Sequence, residues 1–427
     1  MAERADVLVV GGGIIGSGIA WALAERGVRG VVVLDLDLAG VYASSELNAG
    51  GVRATWWQPV NIAACKATLD FFAANAAEFG FRAAGYLWLY DDPALFATAL
   101  EKLRLQNQHG LGVERLAPAE VAPRFPVLDR ALDEIVGATY SPRDGLVNPN
   151  AVRAFYRRRA EALGVRFLNR HYVTGAATEL SVGGAGPRRR VAWVDAVEVV
   201  PGKPADEDGG VREILTRHFV ARERALRELR VETGVLVNAL GAWSPILSAK
   251  LGVRDVTEPV RRQISLVDVH ASDLAPGVRL AELGMIVDPS GLYFHPEGPH
   301  VLAGYSIPDE PPGFDFRYDG DAFFEREIWP RLAHRASSFE RCGHVRGWAG
   351  LYAVTPDRSG IAGAVGGFAN LFEAHSFTGR GVMQSYAVAR SMAALIATGH
   401  YEEVDLAPLG RERFDDPARA VPEALHI

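Results

Sequence analysis

A glycine-rich loop near the start of the sequence has the spacing of a dinucleotide-binding turn. The loop reads Gly11-Gly12-Gly13-Ile14-Ile15-Gly16, and an acid, Asp35, follows 19 positions after its last glycine. Gly11 permits a tight turn, Gly13 lets the backbone approach a pyrophosphate, and Gly16 lets a helix pack closely on a strand. Asp35 can accept both hydroxyl groups of an adenosine ribose, and its charge disfavours a 2′-phosphate. The loop therefore predicts a site for FAD or NAD and not for NADP.

The residues around this loop predict the elements that position it. Asp6–Val10 is a short β-branched run, residues 14–26 have helical spacing up to Gly27, and Val31–Leu34 is a second apolar run. Together they predict a strand, a helix and a parallel strand within about 30 residues. The helix would begin at the glycine loop, so that its free N–H groups and partial positive charge face the phosphates.

Length and composition favour a globular chain of two domains. The 427 residues are 48% hydrophobic and 23% charged, which excludes a mainly disordered or multi-span membrane protein. The net charge is -7 and the basic residues are dispersed, so we expect no nucleic-acid binding. Cys65 and Cys342 are the only cysteines, and no metal-binding motif is present. Without a signal-peptide pattern or an apolar run of ~20 residues, the sequence predicts a cytoplasmic protein with no membrane span.

Four further segments distinguish FAD from NAD. Ser44–Arg53 is polar and glycine-bearing where an ordinary Rossmann dehydrogenase would begin another helix, and residues 234–244 form an apolar strand with a small-residue turn. Tyr352–Asp357 contains a Thr-Pro pair, and residues 374–384 precede a helix that extends to about Thr398. In this order, the segments resemble the D-amino acid oxidase superfamily of FAD enzymes, in its sarcosine oxidase and glycine oxidase branch.

The chain is also similar to the FAD-dependent oxidoreductase domain-containing group, which includes a mitochondrial assembly factor. The similarity lies in Gly-Gly-Val-Arg at residues 50–53, in Gln58-Pro59-Val60-Asn61 and in the tail Tyr401–Arg413. The resemblance covers nearly the whole chain except about residues 181–230.

The resemblance implies an α/β fold (α+β overall) in which a Rossmann-type FAD-binding domain is interleaved with a substrate domain built on an antiparallel sheet. The expected FAD-binding domain comprises residues 1–80, 145–180, 231–255 and 340–427. The expected substrate domain comprises residues 81–144 and 256–339, and residues 181–230 form a polar insertion.

Residue patterns in the middle of the chain are consistent with a substrate domain. Residues 81–92 and 262–268 predict strands, Tyr293 begins an alternating segment that reaches Tyr305, and residues 321–332 have helical spacing. The insertion predicts an extended hairpin or loop around Gly183–Pro187, a polar stretch at Pro201–Gly210 and a polar helix near Ala221–Arg230. Its composition favours a solvated insertion, with a partner-binding arm as the alternative.

The resemblance also implies where the cofactor binds. In that family the glycine-bearing turn before the last helix approaches the flavin, and the helix N-terminus faces its pyrimidine carbonyl. FAD is expected to be non-covalent, because Gly350 stands at the position of a flavin-linked cysteine and Leu47 at that of a flavin-linked histidine. The expected FAD contacts are Gly11, Gly13, Ile14, Ile15, Gly16, Asp35, Ser45, Gly51, Val52, Arg53, Val173, Gly241, Trp243, Gly379, Arg380, Gly381, Val382 and Met383.

Four residues are candidates for catalysis by the same resemblance. Tyr293 and Tyr352 match tyrosines of the substrate pocket, although both could be strand-core residues. Arg380 replaces the histidine of a Gly-His-Gly turn and could either grip a substrate carboxylate or bind the flavin. His375 could accept a proton near neutral pH, or it could be structural.

Three cations of sarcosine oxidases are missing. Trp56 and Met383 replace the arginine and the lysine that hold the substrate carboxylate. Leu302 replaces the lysine of a Lys-x-Gly-Tyr segment that promotes reaction with O₂. The only lysines in the chain, Lys66, Lys102, Lys203 and Lys250, lie outside that segment. Reaction with O₂ is expected to be slow unless Arg380 or His375 supplies the positive charge near the flavin that the lysine would provide. The electron acceptor is therefore left open between O₂ and another, unknown acceptor.

The sequence therefore predicts an FAD-dependent oxidoreductase, either a dehydrogenase or an oxidase. Its expected reaction is oxidation of the C–N bond of a secondary or primary amine, amino-acid-like in character, by hydride transfer to flavin N5. Two alternatives are oxidation of a 2-hydroxy acid on the same fold and a non-catalytic FAD-containing assembly or scaffold protein.

Overall fold

Two large β-sheets organise the protein. The structure is a computed structural model that describes residues 2–183, 186–200 and 210–424. Each sheet has buried side chains on both faces, and the cavity described below lies between the two sheets.

The first sheet has a parallel centre. Its strands are β1 (Ala2–Val10), β2 (Val31–Leu34), β8 (Arg166–Leu168), β9 (His171–Gly183), β10 (Gly186–Val199), β11 (Ala225–Asn238), β17 (Ile361–Ala364) and β18 (Leu371–His375). The order β18-β11-β1-β2-β8 is parallel throughout, β17 is antiparallel to β18, and the β9–β10 hairpin extends the sheet beside β11. This is the Rossmann-type arrangement predicted from the sequence.

The second sheet is antiparallel except for one pair of strands. Its strands are β4 (Tyr86–Tyr90), β5 (Glu114–Leu116), β6 (Gly137–Ser141), β12 (Glu258–Asp268), β13 (Met285–Val287), β14 (Leu292–Glu297), β15 (His300–Tyr305) and β16 (Gly343–Val354). Their order is β16-β12-β15-β14-β13-β4-β6-β5, with β13 parallel to β4. Two short strands, β3 (Gly51–Val52) and β7 (Gly145–Leu146), pair separately. The predicted antiparallel sheet is confirmed.

The helices pack against both sheets. They are α1 (Ile14–Glu25), α2 (Pro59–Ala74), α3 (Ala76–Phe79), α4 (Pro93–Gln108), α5 (Pro118–Arg124), α6 (Pro149–Ala162), α7 (Val211–Arg217), α8 (Ser244–Lys250), α9 (Asp321–Phe323), α10 (Trp329–Arg335) and α11 (Gly381–Thr398). Residues 14–24 of α1 are all buried, as expected for a helix that packs on a sheet and on other helices. Among the described residues, no helix combines the length and apolar character needed to cross a membrane.

The predicted polar helix at residues 221–230 is wrong. A 3-10 turn at Arg222–Arg224 leads directly into β11, and the helix of this region is α7. In β11, buried Leu229 and Val231 alternate with exposed neighbours, and Arg230 pairs with Asp195 on β10. This period of two, completed by cross-strand ion pairs, outweighs the helix propensity of the charged residues.

Of the hairpin or loop predicted for the insertion, the described residues show a hairpin, β9 and β10, which extends the first sheet and begins before the insertion, at His171. Gly184, Ala185 and most of the polar stretch, residues 201–209, lie outside the described residues. Residues 343–354 form β16 and pair with β12, although the predicted boundaries place them in the FAD-binding domain. The exact domain boundaries stay a prediction.

We predict that Gly16→Ala lowers the free energy of unfolding by about 2 to 3 kcal/mol, because a Cβ at Gly16 would lie 1.8 Å from the carbonyl oxygen of Gly11. Gly13→Ala is the matched control, since a Cβ there meets no atom within 4 Å. Urea unfolding of both variants without ligand measures the difference. Equal free energies of unfolding for Gly16→Ala and Gly13→Ala would show that the close approach of residue 16 to the Gly11 carbonyl oxygen does not limit the side chain at residue 16.

Candidate active site

A cavity of about 860 Å³ lies between the two sheets, at the carboxyl ends of the parallel strands. In open α/β sheets this is where ligands bind. The predicted residues that line it are Gly11, Gly13, Ile14, Ile15, Asp35, Ser45, Gly51, Arg53, Val173, Gly241, Trp243, Tyr293, Tyr352, His375, Gly379, Gly381, Val382 and Met383. Three predicted contacts, Gly16, Val52 and Arg380, lie behind this wall.

The glycine loop leaves space for a ligand at the N-terminus of α1. Gly11 has φ +108°, and a Cβ there would lie 2.4 Å from the carbonyl oxygen of Ala239. A Cβ at Gly13, the N-cap of α1, would instead project into open space. No side chain caps this helix, so its first N–H groups are available to a phosphate.

Asp35 lies at the end of β2, where its carboxylate is oriented by the backbone. Its Oδ2 accepts the N–H of Gly12 at 2.5 Å, and its Oδ1 accepts the N–H of Asp37 at 2.7 Å. Burial raises the pKa of Asp35, and these two hydrogen bonds oppose the rise. The carboxylate therefore both closes the glycine loop and faces the cavity, as an acid that binds a ribose should.

Four buried polar atoms on cavity-lining residues have no hydrogen-bond partner among the described residues. One is Arg262 Nε, described below, and the other three are Ser45 Oγ, His171 Nε2 and Tyr172 OH. His171 is fixed by its backbone N–H, which donates to the carbonyl oxygen of Asp35 at 2.9 Å. Buried polar groups are rarely left unpaired, so these atoms fit a bound dinucleotide. Together with the open space at Gly13, they provide hydrogen-bonding groups and room for a dinucleotide such as FAD.

The loop between β18 and α11 brings a second helix N-terminus to the cavity. Ser376 and Thr378 have φ values of +60° and +45°, which are strained for residues with a side chain, and Gly379 has φ +79°. α11 then begins at Gly381 with no acidic residue in its first turn. The loop therefore directs partial positive charge at the ligand, where the charge of a reduced flavin would develop.

The two residues that replace flavin-linking side chains meet each other in space. A Cβ added to Gly350 would lie 2.9 Å from the Cβ of Leu47, and both residues line the cavity. The Leu47 side chain therefore fills the space that a reactive residue at position 350 would need.

Three tyrosines surround the end of the cavity that the second sheet closes. Tyr86, Tyr293 and Tyr352 line it, and burial raises the pKa of each phenol. A Cβ at Gly51 would lie 2.1 Å from Tyr86 OH, and one at Gly379 would lie 2.7 Å from the Tyr352 ring. The tyrosines thus contact the segments predicted to hold the flavin, and as neutral phenols they are hydrogen-bond donors.

Arg262 faces the same end of the cavity and is absent from the sequence-based prediction. It lies on β12, where every second residue from Glu258 to Ile264 lines the cavity. Its neighbour Arg261 points to the opposite face and pairs with Glu310. The Arg262 Nη1 donates to the carbonyl oxygen of Arg261 at 2.9 Å, whereas its buried Nε has no hydrogen-bond partner in the part of the chain that the structure describes. The alternation of side chains between the two faces of β12 can be read from the sequence. It does not show which of the two faces lines a cavity.

Arg358 adds a second positive charge near Arg262. It lines the cavity, and burial followed by the charge of Arg262 lowers the pKa of Arg358. Arg262 and Arg358 thus bring positive charge to the cavity, whereas Arg380 does not line it.

Arg380 is not among the residues that line the cavity. Arg380 is fully buried, and its guanidinium lies 4.3 Å from the centroid of the Trp56 ring. The guanidinium of Arg53 also stacks on this ring, 3.5 Å from the same centroid. Because Gly379 is left-handed, the chain reverses here, and the arginine side chain points towards the apolar face of Trp56. Its Nε and Nη2 have no hydrogen-bond partner in the described structure.

His375 lines the cavity but is held by its neighbours. Its Nδ1 lies 2.7 Å from Ser376 Oγ, and its Nε2 lies 3.2 Å from a carboxylate oxygen of Glu373. Although burial alone would raise the pKa of Glu373, hydrogen bonds from His375 and Arg411 lower it. With both ring nitrogens engaged in this buried cluster, the placement of His375 favours the structural role.

Comparison with known proteins identifies the family. Residues 6–395 match the family described as FAD dependent oxidoreductase (DAO). The chain is 29% identical over 444 residues to FAD-dependent oxidoreductase domain-containing protein 1 of Xenopus laevis, covering 96% of this chain and 83% of that protein.

Solved structures show the same fold. L-proline dehydrogenase from P. horikoshii superimposes with a TM-score of 0.77 at 21% identity, covering 98% of this chain and 99% of that one. Glycine oxidase from Geobacillus kaustophilus gives a TM-score of 0.70 at 22% identity, covering 96% and 98%. Because the family match spans most of the sequence and the cavity fits the dinucleotide, this chain belongs to the FAD dependent oxidoreductase (DAO) family and uses FAD as its cofactor.

Proposed function

We propose that this protein oxidises an amino-acid-like secondary or primary amine, with FAD bound non-covalently and the substrate carboxylate held by Arg262. The observation that carries the proposal is the position of Arg262 among the three tyrosines, at the end of the cavity closed by the second sheet. Proteins with the same fold include an L-proline dehydrogenase and a glycine oxidase, whose names describe amino acid substrates.

Arg262 has the donors that a carboxylate requires. Because Nη1 is hydrogen-bonded to the carbonyl of Arg261, the edge formed by Nε and Nη2 remains for two parallel hydrogen bonds. The neighbouring Arg261, on the other face of β12, is the arginine that pairs with the carboxylates of Glu310 and Asp319. Tyr293 and Tyr352 can donate further hydrogen bonds without adding charge.

The surroundings favour a neutral amine. Ile264 and Met285 line the same part of the cavity as Arg262 and Arg358. Apolar surroundings and nearby positive charge both favour the uncharged form of an amine, whose lone pair assists removal of the neighbouring hydrogen. FAD is the two-electron acceptor that takes up the hydride from that carbon–hydrogen bond.

The state of His375 favours an amine over a 2-hydroxy acid. Oxidation of a hydroxyl group needs a base that accepts its proton, whereas a neutral amine does not. Both ring nitrogens of His375 are already hydrogen-bonded, to Ser376 and Glu373. The substrate end therefore resembles a site that binds and orients an amine.

We predict that the protein releases intact FAD when it is denatured by acid or heat, because Leu47 and Gly350 carry no nucleophile at the two positions where the resemblance places flavin-linking side chains. Precipitated protein is separated from the supernatant and the flavin in each fraction is measured by absorbance. Flavin that stays with the washed precipitate would disprove non-covalent binding.

We predict that Arg262→Met weakens a carboxylate-bearing substrate by about 2 to 4 kcal/mol while FAD content is unchanged. Amino acids and N-alkyl amino acids are screened anaerobically by loss of flavin absorbance at about 450 nm, an expectation from flavin chemistry. The apparent dissociation constant is then compared between variants. Arg115→Met is the control, since Arg115 is exposed on β5 at the far edge of the same sheet.

The screen also separates the alternatives. Bleaching by 2-hydroxy acids and not by amines would replace the proposed substrate class. No bleaching by any compound would favour the non-catalytic alternative. An equal loss of affinity in Arg115→Met would assign the effect of Arg262→Met to the sheet as a whole.

We predict slow reoxidation of the reduced protein by O₂, because the wall behind Tyr293 carries Leu302 in place of a lysine. Leu302 is buried on β15 beside Ile264 and Met285. Leu302→Lys would place a positive charge there and speed reoxidation roughly tenfold, with Leu302→Met as the uncharged control. Stopped-flow mixing with O₂ measures the rates, and wild-type reoxidation as fast as that of a true oxidase contradicts the prediction.

A further inference from the structure

The C-terminal tail carries one fully buried carboxylate. Glu423 is 0% exposed, whereas Val421, two residues earlier, is 52% exposed. Burying a carboxylate is unfavourable unless hydrogen bonds or opposite charges compensate it. The backbone N–H of Glu423 also donates to the carbonyl oxygen of Asp357 at 2.9 Å, which holds the tail in place.

Glu423 supplies the missing cap of α2. Its carboxylate accepts the backbone N–H groups of Trp57 at 2.8 Å and Gln58 at 3.0 Å, and the side-chain amide of Asn61 at 2.9 Å. Gln58, the N-cap residue, provides no side-chain cap, and the first turn of α2 contains no acid. The start of this helix is therefore stabilised by a residue from the far end of the chain.

The same contacts connect α2 to the start of α11. The side-chain amide of Gln384, in the first turns of α11, donates to Asn61 Oδ1 at 3.0 Å. Glu423, Asn61 and Gln384 thus form one buried hydrogen-bonded chain. Since the first turn of α11 lines the cavity, the tail is coupled to the cofactor site.

The capped segment also carries a concentration of positive charge. Arg53 and Arg380 both lie over the ring of Trp56, one residue before Trp57, and both arginines are buried. Burial lowers the pKa of Arg380 to about 10, and the charge of Glu423 is the strongest influence that opposes this. Burial likewise lowers the pKa of Arg53, against the influence of Tyr86, Asp144 and Glu423.

We propose that Glu423 is a positioning residue for the cofactor site, which fixes the starts of α2 and α11 and offsets the charge of the two arginines stacked on Trp56. The C-terminal tail thereby sets the electrostatic environment of FAD. This inference depends on FAD binding and not on the identity of the substrate. Removing the negative charge leaves the arginines less compensated, which favours anions and the reduced, negatively charged flavin.

The test compares Glu423→Gln with wild type as FAD-loaded full-length protein. We expect the affinity for sulfite, an anionic probe that bleaches flavin absorbance, to rise about tenfold, and the flavin reduction potential to rise as well. Glu403→Gln, an exposed carboxylate on the same C-terminal segment, is the control and should change neither. Glu423→Asp keeps the charge but shortens the side chain, so it should lower the melting temperature while sulfite affinity stays near that of wild type.

Sulfite affinity and reduction potential in Glu423→Gln equal to those of Glu403→Gln would overturn the proposal. If Glu423→Gln does not retain FAD, the proposal is tested with the double variant that combines Arg380→Met and Glu423→Gln. This variant removes the positive charge of Arg380 together with the negative charge of Glu423. Recovery of FAD binding in the double variant supports the proposal, and no recovery overturns it. Sulfite affinity, reduction potential and FAD binding do not depend on turnover of an amine. A failure of the proposed function would therefore appear in the amine screen and not in these measurements.

Discussion

Close backbone contact at the carboxyl ends of β1 and β11 is the constraint on which the site depends. A Cβ at Gly11 would overlap the carbonyl oxygen of Ala239, and a Cβ at Gly16 would overlap the carbonyl oxygen of Gly11. The N–H of Gly11 also donates to the carbonyl of Leu34 at 2.9 Å, which brings the end of β2 to the same point. This convergence sets where α1 begins, and α11 packs on α1 through the contact of Gly18 with Ala389. Both helix N-termini at the cavity are therefore positioned by the same glycine-dependent packing.

The two sheets contribute different chemistry to the cavity. The first sheet supplies mainly backbone groups and helix N-termini, which suit phosphates and a flavin that gains negative charge. The second sheet supplies side chains, among them Arg262, Tyr293 and Tyr352, which suit a small polar substrate. The close contacts of Gly51 with Tyr86 and of Gly379 with Tyr352 join these two halves.

Buried charge is concentrated beside the cavity. Arg53 and Arg380 face two buried carboxylates, Asp144 and Glu423, across a small region around Trp56. Burial raises the pKa of Asp144 to about 6, although hydrogen bonds from Ala54 and Thr55 and the charge of Arg53 oppose this. Such a cluster is a costly way to fill a core, so its position beside the cofactor site points to an electrostatic role.

The sequence alone determined the features that depend on local spacing. The βαβ unit, the close packing at Gly11 and Gly16 and the extended character of the segment from Tyr293 to Tyr305 all follow from periodicity and from the spacing of the glycines. The resemblance also identified Leu47 and Gly350 as the residues at two flavin-linking positions. The structure places these two residues in contact.

Only the tertiary structure decided which side chains reach the cavity. Alternation along β12 left open whether Arg261 or Arg262 faces it, and the register with β16 settles this in favour of Arg262. The left-handed turn at Gly379 sends Arg380 behind the wall, and Glu423 reaches α2 from 365 residues away. These outcomes depend on neighbours that are distant in sequence, because burial and pairing are properties of the packed chain and not of local spacing.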